Sequence, residues 1–150
     1  LAYDKHIRFS LSDLRPYLEI PGVTFVDCQY GDTLLERQKL TEETGIQILH
    51  DEDIDQLVDI DTFAAQVAAL DLVIGIDNSL TQLSSALGVP TWNILRTVPN
   101  WCWSLEGETK TWAPSIRLFR QNQRGDWATV IDRVTRELSR KIAGGLDEPA

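Results

Sequence analysis

Residues 71–92 read DLVIGIDNSLTQLSSALGVPTW, and a polar triplet, Asp77, Asn78 and Ser79, separates an unbroken apolar run from a segment with leucines at 80, 83 and 87. Residue types in that order spell a strand, a turn and a helix. At the carboxyl edge of a parallel sheet such a turn offers backbone N–H groups and the positive end of a helix dipole, which is the chemistry of phosphate binding. Ser79 and Thr81 add hydroxyl donors. The same pattern describes a capped turn that binds nothing, and spacing alone leaves both readings open. Neither GxGxxG nor GxxxxGKS/T occurs, so dinucleotide-binding and ATP-hydrolysing fingerprints are absent.

The remaining chemistry-bearing residues form no constellation. His6 and His50 are the two histidines, and neither stands at metal-ligand spacing from a cysteine or carboxylate, so no metal and no cofactor is expected. Ser79 and Ser84 lack the GxSxG elbow of a hydrolase. The acidic run HDEDIDQLVDID, His50 to Asp61, lacks the glycine and closing glutamate of a calcium loop. It reads as a solvated connection before a helix start, where acidic side chains are favourable. Trp92, Trp101, Trp103 and Trp112 gather in a loop-rich stretch, where each either fills the core or offers a flat face to a sugar or nucleobase.

A chain of 150 residues is one domain, long enough to remove roughly 70% of its unfolded surface from water. Fourteen Lys and Arg against 23 Asp and Glu give a net charge of −9, which repels a phosphate backbone and argues against nucleic-acid binding. Cys28 and Cys102 are far apart and form no CxxC pair, pointing to a reducing cytoplasm rather than a disulfide framework. No run has the length and apolarity of a membrane span, and Asp4, Lys5, His6 and Arg8 interrupt what a signal peptide would need. The chain starts at Leu1 without an initiator Met and is expected to belong to something longer.

The elements that must position the turn follow from periodicity. Short β-rich runs are expected at 24–28, 46–49, 72–76, 91–95 and 116–119. The continuous run before Asp77 is what a strand covered on both faces looks like, and it is expected at the centre of a parallel sheet. Helical patterns span 12–19, 61–70, 79–87 and 126–142, the last capped by Asp126 with Trp127, Val130, Ile131, Val134, Leu138 and Ile142 in register. Strands alternating with helices predict an α/β fold, a Rossmann-like three-layer sandwich with a mainly parallel sheet over 1–143. The tail at 144–150 reads as disordered.

Two longer stretches, DLVIGIDNSLTQLSSALGVPTWNIL and PNWCWSLEGETKTWAPSIRLFRQNQRGDWATVIDRV, resemble the carboxyl-terminal half of heptosyltransferase-like bacterial glycosyltransferases, notably those attached to tetratricopeptide repeats. RFSL and PGVTFVDCQYGD extend the likeness over nearly the whole chain. The resemblance implies one half of a GT-B arrangement, with this domain holding a nucleotide-diphosphate sugar. A missing N-terminal domain would supply the catalytic base and a glycan, lipid or protein acceptor, so the isolated chain would be inactive. It also implies donor-binding roles for Asp77, Asn78, Ser79 and Gln82, where Asn78 replaces a family threonine and Gln82 a family histidine. In the same way Arg8 and Arg120 become candidate cationic partners of the diphosphate, Arg8 being equally readable as a solvated surface residue. Gln29 and Tyr30 would touch sugar or base, or merely close a turn with Gly31. Asn100 and Cys102 replace a family Asp and Arg. These replacements favour the second reading, a non-catalytic sugar- or protein-binding module with a decayed donor site.

Overall fold

The computed structural model describes residues 9–144. Ten elements follow one another: α1 (Leu11–Leu18), β1 (Phe25–Val26), α2 (Leu34–Thr44), β2 (Ile48–Leu49), α3 (Ile60–Ala68), β3 (Val73–Ile76), α4 (Ser79–Ala86), β4 (Thr91–Leu95), β5 (Ile116–Arg120) and α5 (Trp127–Gly144). The fold is mixed α/β, and among the described residues every pairing between these strands is parallel.

The single mainly parallel sheet of a three-layer sandwich is not what forms. The described residues form two small sheets, β1–β2 and β3–β4–β5. The first is paired only through Phe25↔Ile48 and Val26↔Leu49, because the chain leaves extended backbone almost at once on both strands. No ladder joins β1 to β3, so the run expected at the sheet centre lies at an edge of the three-stranded sheet. The central strand is β4, all five of whose residues are buried, which is the burial a parallel strand with neighbours on both flanks requires.

The larger sheet has two differently built faces. Trp92, Ile94 and Phe119 pack with Val130, Ile131, Val134 and Leu138 of α5 and with Leu11 and Leu18 of α1. Trp92 and Phe119 meet with ring centroids 5.2 Å apart. The opposite face carries α4, where Leu80 and Leu83 join the apolar cluster of Val73 and polar contacts lie beside them: Thr91 Oγ1 donates to Ser84 Oγ at 2.8 Å, and Ser115 Oγ to the Ser85 carbonyl at 3.2 Å. Small side chains let α4 come close. A Cβ on Gly75 would lie 2.8 Å from Thr81 Cγ2.

Helix α2 is absent from the sequence expectations. Its one buried residue is Leu40, so little apolar periodicity is written into it. Asp126 does cap α5, accepting from the Thr129 N–H at 3.1 Å. Trp127 is half-buried and edge-on to Phe9, with centroids 4.9 Å apart, and so anchors α5 toward α1. Gly144 ends α5, and the rest of the expected tail lies outside the described residues.

Candidate functional site

The turn from β3 into α4 is held by its own side chains. Asn78 is the N-cap: its Oδ1 accepts from the Thr81 N–H at 3.2 Å, and Thr81 Oγ1 accepts from the Asn78 N–H at 3.5 Å. This reciprocal box takes two of the amides that a free helix start would offer. The Thr81 hydroxyl also serves the backbone, with the Asn78 carbonyl 3.0 Å and the Ile76 carbonyl 3.2 Å away, and Thr81 is fully buried. It is therefore not the ligand donor that its spacing suggested. The first helical bond runs from the Gln82 N–H to the Asn78 carbonyl, leaving the amides of Ser79 and Leu80 without intrahelical partners. Those two amides and the exposed Ser79 hydroxyl are what the turn presents.

Asp77 is occupied. Its Oδ1 accepts from the Trp103 indole N–H at 2.7 Å and its Oδ2 from Asn100 Nδ2 at 2.5 Å. The loop after β4 is thereby tied down over the carboxyl edge of the sheet. Gln82 faces the same loop, its Nε2 lying 3.9 Å from Cys102 Sγ.

Arg120 belongs to this edge as well. The register pairs Leu95 with Arg120 and Ile76 with Ile94, so continuing it by one residue sets Asp77 and Arg120 on either side of Leu95. Alternation puts Arg120 on the face of Leu118, with its Nη2 donating to the Ser104 carbonyl at 2.5 Å. Its Nη1 is buried without a partner, as is the Thr97 hydroxyl just beyond β4. Burial lowers the Arg120 pKa from its ordinary value, but a guanidinium stays charged. A half-buried cation with an unspent N–H thus shares the sheet edge with a helix start that has two unspent amides, an arrangement chemically suited to an anion.

The other expected residues are dispersed. Gln29 lies past β1, in the other sheet, exposed, with its N–H donating to Asp27 Oδ1 at 2.9 Å. Arg8 lies outside the described residues.

Sequence reasoning passed over the group around Asp27. This carboxylate, buried at the end of β1, accepts from the Thr33 hydroxyl, and Arg37 Nε lies 3.4 Å and His50 Nδ1 3.6 Å from its Oδ2. Thr33 occupies the N-cap of α2 yet makes no cap bond, because its hydroxyl goes to Asp27 instead. The group fastens α2 to both strands of the small sheet. A charged residue closing the apolar run TFVDC was the available signal.

No family model matches the chain. No solved structure matches it either. Over 123 residues it is 41% identical to Protein FlbA of Caulobacter vibrioides, a match that takes in 82% of this chain and 20% of that protein. The chain thus spans about a fifth of the length of the curated relative it matches.

These comparisons correct the resemblance to heptosyltransferase-like glycosyltransferases and the GT-B and tetratricopeptide-repeat setting that came with it. The matching relative bears a different name, which mentions neither, and no family model supports the likeness. The reason is visible in the turn: an apolar strand, an Asn cap, and a helix ended by Gly88 and Pro90 are written by the backbone needs of a βα unit. That pattern does not identify a chemistry.

Proposed function

We propose that the carboxyl edge of β3–β5 binds the diphosphate of a nucleotide sugar, through the Ser79 and Leu80 amides, the Ser79 hydroxyl and Arg120. The observation that carries this reading is the buried, unpartnered Nη1 of Arg120 at the edge where α4 begins. In a longer protein the domain is then the donor-holding part of a sugar transferase. A domain N-terminal to it holds the glycan, lipid or protein acceptor and supplies the catalytic base. The parallel strands with helices on both faces of the larger sheet support a Rossmann-like reading of the fold, in which ligands bind at the carboxyl ends of the strands. A cytoplasmic setting accords with two free cysteines. Among the described residues no helix is long and apolar enough to cross a membrane.

The test is calorimetric titration of nucleoside diphosphates and their sugar conjugates into the wild-type chain and Ser79→Glu. The new carboxylate stands where phosphate belongs and should weaken binding at least tenfold, about 1.4 kcal/mol. Circular dichroism should show both proteins folded, since an acidic residue suits a helix start. Equal affinities reject the site, and sugar transfer by the isolated chain rejects the need for a second domain.

A second reading, a non-catalytic protein-binding module, is favoured by one observation. Trp101 is 96% exposed, with Val98 and Leu105 exposed on the same loop. No diphosphate binding by the wild type at millimolar concentration selects this reading.

A further inference from the structure

Trp103 and Trp112 form a stacked pair, centroids 5.5 Å apart and planes 28° apart, yet their environments are opposite. Trp103 is 1% exposed and fixed at its edge by the bond to Asp77; Trp112 is 56% exposed. The segment carrying Trp112 is pinned by the Lys110↔Ala113 bridge and by Lys110 Nζ donating to Ser104 Oγ at 2.5 Å. One indole is therefore held with a face against a buried partner while much of its surface meets water. Rigid, half-exposed aromatic surface of this kind is costly in water and suited to stacking on another flat ring.

We infer that Trp112 is the stacking platform for the nucleobase of a nucleotide whose diphosphate occupies the start of α4. The inference rests on the diphosphate reading above. Trp103 links the two parts of the ligand site: its N–H edge meets the residue that opens the phosphate turn, and its face supports Trp112. A nucleobase fits this place because it is flat and is tethered to the diphosphate through the ribose, so one bound molecule spans both. Stacking on an indole face does not read base identity, and the site is accordingly tolerant of purines and pyrimidines.

The experiment titrates uridine diphosphate, adenosine diphosphate and inorganic pyrophosphate into the wild-type chain, Trp112→Ala and Trp112→Phe, with circular dichroism on each. Trp112→Ala should weaken both nucleotides at least fivefold, the lower end of what one stacked base contributes, and leave pyrophosphate unchanged. Trp112→Phe should retain most nucleotide affinity, and wild-type indole fluorescence should be quenched by the nucleotides but not by pyrophosphate. Nucleotide binding indifferent to Trp112→Ala overturns the platform while leaving the diphosphate site standing. An equal loss for pyrophosphate also overturns it, since the residue then acts through loop structure. Failure of all three probes to bind the wild type removes both the platform and the diphosphate reading.

Discussion

Trp103 donates its indole N–H to Asp77 Oδ1 at 2.7 Å across 26 residues of sequence. The bond joins the loop after β4 to the turn after β3, and it places a carboxylate partner opposite the one polar atom of a 1% exposed tryptophan. Removing the acceptor leaves that N–H buried and unpaired, which costs about 1–3 kcal/mol. Asp77→Ala and Trp103→Phe should each destabilise the domain by such an amount. Because both remove the same bond, the double variant should cost less than their sum. Urea unfolding of the four proteins measures this, and strict additivity would falsify the coupling.

Gly75 is a packing requirement of α4. Its missing Cβ leaves room for Thr81 Cγ2, which is held in place by the Thr81 hydroxyl's contacts with the Ile76 and Asn78 carbonyls. Gly75→Ala is expected to destabilise by about 1–3 kcal/mol through overpacking. Adding Thr81→Ser deletes the clashing methyl group but keeps the hydroxyl, and should recover much of the loss. If the second change recovers nothing, the strain lies elsewhere than at this contact.

Acid should loosen the grip of α5 on β5. Glu137 is held below its ordinary 4.5 first by the hydrogen bond from Arg117, whose Nη1 is 3.0 Å away, with Arg140 adding to it. A depressed carboxylate contributes stability that is present above the unfolded pKa and is lost as pH falls through the folded one. Wild type is therefore expected to lose stability below about pH 4.5. Glu137→Gln should show a shallower acid limb in thermal melts taken from neutral pH downward. Identical limbs would remove Glu137 from the acid response.

Cys28 should be chemically quiet. Burial, and secondarily the neighbouring Asp27 charge, push its thiol up to about 11. Only the thiolate is nucleophilic, so iodoacetamide at pH 8 should label Cys28 far more slowly in the native protein than in urea. Peptide mass mapping separates it from Cys102. Native labelling as fast as in urea would mean that the end of β1 is open to solvent.

Local rules made much of this molecule legible in its sequence. The β-branched and aliphatic runs at β3, β4 and β5, the apolar register of α5 and the cap at Asp126 depend on residues within a few positions of one another. Asp59, at the end of the acidic connection, caps α3 by accepting from the Asp61 and Thr62 N–H groups, a local role that the sequence reading did not assign to it. Helix α2 was illegible because a helix that buries one leucine has almost no periodic signal.

Tertiary structure alone decided what the polar groups do. Asp77 and Asn100 are 23 residues apart, and nothing local tells that one carboxylate will take both Asn100 and Trp103. Asn93 shows the same dependence: centred in a strand buried along its whole length, it is fully buried with neither side-chain amide atom partnered. The division into two sheets was equally a tertiary matter, since a strand's neighbours are chosen by long-range hydrogen bonds that no window of sequence contains. Periodicity and caps are short-range physics and are written in the chain. Which buried donor meets which acceptor depends on where distant segments come to rest, and that is settled only when the core closes.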